Sequence, residues 1–222
     1  MTTTERPILF SAPMVRAIRD GRKTMTRRVV KPQPDTYYGS EPYWSIGGHR
    51  LRAGAAAPLR CPYGQPGDRL RLISSWATDA RYDDLKPTDL PRDGDPTELG
   101  RPVFWSHWTG EEKPSWCGKL RPGRFLPSSL RWLMPVAEVT GVRAERLQDI
   151  SEEDARAEGV EPCGGFMASA GCWTNYGLDG SSFHTARASF MSLWRSINGG
   201  DSWVTNPYVW VVSFRLIERS AA

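Results

Sequence analysis

Histidine and cysteine are scarce in this chain of 222 residues, and their scarcity removes several chemistries at the outset. The three histidines, His49, His107 and His184, are far apart in the chain. The four cysteines, Cys61, Cys117, Cys163 and Cys172, form no C-x-x-C pair. Neither set has the ligand spacing of a zinc site, so no bound metal is expected. The thiols read as reduced side chains of a reducing compartment, with a Cys163–Cys172 bridge left open. Long apolar runs are missing too. None approaches the roughly 20 residues of a membrane-spanning helix, so no membrane partner is expected. The opening MTTTERPILF lacks the basic segment and apolar stretch of a secretory signal, and a cytoplasmic protein is the expectation. Nor is there a large excess of one charge. Lysine and arginine number 29 against 25 acidic residues, a net charge of +4. That balance permits a polyanionic partner and slightly favours a small ligand.

The chain is instead rich in turn formers and tryptophan, with 21 Gly, 18 Pro and 10 Trp. Trp44, Trp105, Trp108, Trp116 and Trp173 stand in segments without clear periodicity. Aromatics on loops can stack on nucleic-acid bases, but packing of insertions onto a core is the simpler account. The periodic segments are short. Residues 7–10 read as a strand. Ser11 then stands where a helix would be capped, with Pro13 in its first turn and Gly21 at its end. Residues 24–30 have the β-branched alternation of a strand, and Pro66-Gly67-Asp68 feeds another over 69–76. Residues 134–147 form a strand region with Gly141 inside it. Ser151 and Asp154 give a helix start that Gly159 stops, and a longer helical pattern runs from Phe183 to Ile197. Residues 208–217, YVWVVSFRLI, read as a buried closing strand. The expected organisation is one domain over 1–222, with irregular insertions at 31–66, 78–128 and 160–180. The fold class is α+β, a small curved sheet or barrel with helices at its rim.

The segment GRKTMTRR, residues 21–28, raises the functional question. In a regular strand Thr24, Thr26 and Arg28 share one face. A threonine hydroxyl is a weak nucleophile until a base takes its proton. Lys23 can be that base if burial and the neighbouring Arg22, Arg27 and Arg28 bring its pKa down. A nearby carboxylate would act against this while orienting the amine. The arginines also suit phosphate, and a solvated edge strand suits the same residues. Glu158 is the second candidate. It stands in the last turn of its short helix, at the negative end of the dipole, which disfavours a carboxylate by roughly 0.3–1 kcal/mol when exposed.

Four segments carry a family resemblance: ILFSAPMVRAIRDGRKTMTRRVV, the PGDRLRL turn and strand, LQDISEEDARAEGV and the terminal VWVVSF. Together they resemble the ASCH domain, a compact β-barrel family related to the RNA-binding PUA domains, in its phage and prophage forms. The resemblance covers a third to a half of the chain. It implies a PUA-like (ASCH) small β-barrel with helices at the rim and long irregular insertions. Around the signature the chain is similar to bacterial N4-acetylcytidine amidohydrolases, whose chains are much smaller. Their catalytic lysine, threonine and glutamate would fall on Lys23, Thr26 and Glu158. Arg28 would bind substrate or hold the carboxylate, with Thr24 and Arg27 beside it on the substrate side. The implied activity is hydrolysis of an acylated nucleoside or modified base, with no metal or organic cofactor. The implied ligand is a nucleoside or RNA. A non-catalytic RNA-binding module and a ribonuclease are the alternatives within the same fold.

Overall fold

The computed structural model describes residues 3–38, 41–46, 49–52, 60–90, 103–104, 115–163, 171–177 and 181–217. Its strands and helices in chain order are β1 (Glu5–Leu9), α1 (Ala12–Arg19), β2 (Met25–Val29), β3 (Thr36–Tyr38), β4 (Glu41–Ile46) and β5 (His49–Arg52). There follow β6 (Arg69–Ile73), β7 (Trp76–Ala77), β8 (Val103–Phe104), β9 (Val136–Arg146) and α2 (Glu152–Ala157). The last are β10 (Trp173–Thr174), β11 (Ser182–Phe183), α3 (Ala186–Asn198) and β12 (Tyr208–Ile217). The class is α+β, with a five-stranded sheet in the order β1-β6-β9-β12-β2. Among the described residues no pairing joins its two outer strands into a closed barrel.

The chain divides into two compact units. The first gathers Met1–Asp20, Asp68–Glu138 and Leu216–Ala222. In it β1 runs parallel to β6, from Glu5 opposite Arg69 to Leu9 opposite Ile73. The beginning of β9 pairs antiparallel with β6, Val136 opposite Arg71. Alternation along β6 buries Leu70 and Leu72, while Arg71 turns outward and grips Glu5 through two hydrogen bonds of 2.6 and 2.8 Å. Helix α1 has Ser11 at its N-cap position without a side-chain bond, and Ala12, Val15, Ala17 and Ile18 face inward. A second apolar group comes from the region after β6. Ile73, Trp76, Leu90, Leu126, Leu130 and Met134 pack together. The expected irregular insertion at 78–128 therefore supplies core residues, held in short 3-10 turns.

The second unit gathers Gly21–Gly67 and Val139–Arg215. Here β12 pairs antiparallel with β2, from Val209 opposite Val29 to Ser213 opposite Met25. The apolar stripe of α3 lays Ala186, Phe190 and Trp194 against Val209 and Val211 of β12 and Leu147, Ile150, Ala155 and Val160 around α2. Thr185 caps α3, accepting from the Ala188 N–H at 3.2 Å. The stretch 31–66 differs from its expectation as an irregular insertion, because it holds the three-stranded antiparallel sheet β3-β4-β5. Its aromatic content favours strands, a signal that the abundance of Gly and Pro obscured. Trp44 of β4 is buried, donates to the Pro32 carbonyl at 2.9 Å and meets the Tyr208 ring edge-on at 5.7 Å.

Of the cysteines, Cys61 and Cys117 carry reduced thiols, while Cys163 and Cys172 take the alternative that had been left open. Cys163 and Cys172 form a disulfide, S–S 2.07 Å. Pro162 and Trp173 form a β-bridge, and the Cys163 N–H donates to the Cys172 carbonyl at 2.9 Å, so backbone pairing brings the two thiols together. Trp105, Trp108 and His107 lie outside the described residues, as do residues 164–170 and 178–180 of the 160–180 loop. No helix among the described residues is long and apolar enough to cross a membrane.

Candidate functional site

Gly21, at φ +73°, turns the chain out of α1 in a conformation that favours glycine. The turn aims the next residues at the C-terminal end of α2. Lys23 forms a β-bridge with Glu158, and the Thr24 N–H donates to the Ala157 carbonyl at 2.9 Å. Arg22 adds an exposed ion pair with Glu161 at 3.2 Å. The Ser151 hydroxyl accepts from the Asp154 N–H at 3.0 Å to start α2, and Gly159, at φ +82°, ends it. Glu158 is thus held as the C-cap residue of a six-residue helix.

The two candidate residues, 135 positions apart, meet in the interior. Lys23 Nζ donates to Glu158 Oε2 at 2.7 Å and to the Glu158 carbonyl oxygen at 2.7 Å. Lys23 is 2% exposed and Glu158 4%. The sequence had placed Glu158 unfavourably against the helix dipole. The amine resolves this, because one cation meets both the carboxylate and the exposed carbonyl end of α2. Burial pushes the Lys23 pKa down; the Glu158 carboxylate opposes that, and the neighbouring Arg28 and Arg27 charges reinforce it.

Arg27 reaches the same carboxylate from elsewhere. Met25 and Val29 of β2 pack against the α3 core, and strand alternation puts Arg27 on their face. Its Nη1 lies 3.4 Å from Glu158 Oε1, and its Nη2 donates to Glu145 Oε1 at 2.5 Å and to Asp154 Oδ2 at 2.6 Å. The guanidinium carbon lies 5.9 Å from the centre of the Phe190 ring. Arg143 braces the outside, bonding Glu145 at 2.8 Å and also Asp154. Burial disfavours the Arg27 charge, but Glu158, Glu145 and Asp154 outweigh it and hold the pKa above its ordinary value. Arg27, expected on the substrate side, has its side chain fully turned into the fold.

The structure therefore brings together Lys23, Arg27 and Glu158. Thr26 is buried as well, but it pairs with Val212 and lies on the alternate face of β2 from Arg27. Among the described residues, the hydrogen bonds of the cluster do not include the Thr26 hydroxyl. Arg28 is half-buried on the same face as Thr26, opposite Trp210, and Thr24 is exposed. Glu145, Asp154 and Arg143 border the cluster, and none of them was among the expected site residues. One signal was available: Asp154 and Glu158 are four apart and share a helix face. Asp154 had been assigned only to the helix start, where its N–H does serve, while its carboxylate works elsewhere.

Among the described residues, no group of three or more His, Cys, Asp or Glu side chains is placed to hold a metal ion. Compared with known proteins, the chain matches no family model, no curated protein and no solved structure.

Proposed function

We propose that this chain is a cytoplasmic amidohydrolase of the PUA-like ASCH type, acting on an acylated nucleoside or modified base such as N4-acetylcytidine. One observation carries the reading. A buried amine, pushed toward its neutral form by burial and held by a buried carboxylate, stands three residues before a buried threonine. Lysines that shift in this way serve as bases. In the proposed reaction the neutral Lys23 amine takes the proton of the Thr26 hydroxyl, and the oxygen attacks the acetamide carbonyl. Arg28 or a backbone N–H holds the oxyanion. The tetrahedral intermediate collapses, the exocyclic nitrogen of the base leaves with the proton from Lys23, and an acetyl-threonine ester remains. Water, deprotonated by Lys23, cleaves that ester to acetate and restores the hydroxyl. Glu158 orients the amine and balances its charge while it carries the proton. The reading requires the Thr26 hydroxyl within hydrogen-bond reach of Lys23 Nζ when substrate is bound.

The test is turnover of N4-acetylcytidine, followed by chromatography of released cytidine, with Lys23→Met, Thr26→Val and Glu158→Gln beside the native protein. Circular dichroism establishes that each variant is folded. The expected result is cytidine release that falls by roughly 10²–10⁴-fold in each variant. Loss in Lys23→Met and Glu158→Gln with retention in Thr26→Val would remove the threonine and leave a water activated by the amine. No turnover from folded native protein would defeat the amidohydrolase reading. The fold would then be read as a non-catalytic binder of RNA or modified nucleotides.

A further inference from the structure

The cluster contains a cation whose position suits no substrate. Arg27 has no exposed side-chain surface and spends its two terminal nitrogens on three carboxylates. Its Nε is buried without a hydrogen-bond partner, so its orientation follows the acids and not its own local satisfaction. Of those acids, Glu158 is the one that also holds Lys23. Its Oε2 accepts from Lys23 at 2.7 Å while its Oε1 lies 3.4 Å from Arg27, so the carboxylate stands between two cations.

We propose that Arg27 is a positioning residue that shares the Glu158 carboxylate with Lys23 and so leaves the buried amine able to release its proton. This rests on the reading of Lys23 as the base. The electrostatic reasoning is direct. A buried lysine paired with one carboxylate in a medium of low dielectric is held protonated by it. A second cation on the same carboxylate weakens that hold and also repels the ammonium. The charges that act on the amine are those of Glu158 at the end of α2, then of Arg28 and Arg27 on β2. Behind Arg27 stand Asp154 on α2 and Glu145 and Arg143 on β9, an outer set with one net negative charge that fixes the guanidinium and offsets the one net positive charge of Lys23, Arg27 and Glu158.

The experiment has two readouts. The first follows the Lys23 side-chain titration by NMR in protein labelled at lysine, assigned with Lys23→Met. The second is the pH profile of N4-acetylcytidine turnover. Two variants are used: Arg27→Gln, and the double variant Arg27→Gln/Glu145→Gln. The double variant leaves Lys23 paired with Glu158 and Arg143 paired with Asp154, so no carboxylate loses its only cation and folding is protected. The expected result in any folded variant is a Lys23 titration moved up by about one pH unit or more. The rising limb of the activity profile should move with it, with roughly tenfold less turnover at neutral pH. A Lys23 titration that is unmoved or moved down in the double variant would overturn the proposal. If the native protein has no turnover, the amidohydrolase reading fails while the NMR titration still decides the role of Arg27. Turnover lowered at all pH values alike with the limb in place also counts against the proposal, and a urea midpoint close to the native one separates the loss of the Arg27 charge from hydration of Lys23 in a loosened fold.

Discussion

Lys23 is a charge that the folded chain removes from water, and its titration should be legible in stability. Its ordinary value is 10.5, and burial lowers it in the folded protein against the pull of Glu158. Between the lowered folded value and 10.5 the unfolded chain binds the proton more tightly than the folded chain does. Raising the pH through that window therefore favours the folded state, and the contribution is lost as pH falls through the folded value. Each unit of separation corresponds to about 1.4 kcal/mol across the window. Urea midpoints measured from neutral pH to pH 10 should thus rise more steeply in the native protein than in Lys23→Met. Parallel slopes would mean that Lys23 titrates alike in both states. At this scale the sequence was informative about identity and less so about direction. GRKTMTRR marks Lys23, and the glutamate before Gly159 marks its partner. Strand parity separates Arg27 from Thr26 and Arg28, but parity alone does not say which face meets three carboxylates.

The elements hold the pair through their ends. α2 is six residues long, and its termination delivers Glu158 to Lys23. Gly159 makes that termination at φ +82°, with its N–H donating to the Arg156 carbonyl at 2.8 Å. An L-residue there meets its own carbonyl, at a cost of about 1–2 kcal/mol. Gly199, at φ +97° and ψ 158°, ends α3 in another conformation that excludes side chains, without carrying a site residue. Gly159→Ala and Gly199→Ala should both lose stability in chemical denaturation, Gly199→Ala at least as much. Only Gly159→Ala should also displace the Lys23 titration seen by NMR. Equal effects of both, or of neither, on that titration would detach the helix end from the site. Both glycines were visible in the sequence as helix stops, as were the Ser151 cap and the closing strand, because caps and long apolar runs are local signals. The sheet β3-β4-β5 was not, since a stretch crowded with Gly and Pro reads as loop until its strands find partners. The Cys163–Cys172 bridge stayed an open alternative for a related reason. Cys163 and Cys172 are nine apart, and only the backbone pairing around them decides that they meet.

At the scale of the whole molecule, each unit has its own apolar cluster, one built on β12 and α3 and the other on β6, Trp76 and the turns after it. The second is the less regular, and a single buried cation straps it. Arg121 donates to the carbonyls of Tyr82 at 2.8 Å, Leu85 at 2.9 Å and Asp83 at 3.3 Å, while its guanidinium lies 5.6 Å from the Trp76 ring centre. The backbone of Trp76 and Arg121 is joined in both directions, at 3.0 and 2.7 Å. This is how a segment of charged and proline-rich composition contributes core without forming long strands. Its turns leave carbonyls pointing inward, and one planar donor satisfies several of them. Composition gave no hint of it, because an arginine serving backbone carbonyls has no periodicity and no partner of opposite sign. Arg121→Met keeps much of the apolar stem but leaves the carbonyls facing a side chain with no donor. Each buried polar group so exposed costs about 1–3 kcal/mol before relaxation. The expected loss is about 3 kcal/mol or more in chemical denaturation. Arg121→Lys should recover less than half of it, because one ammonium on a flexible stem cannot span carbonyls that the planar fork reaches together. Full recovery by lysine would mean that charge, not the fork, holds these turns.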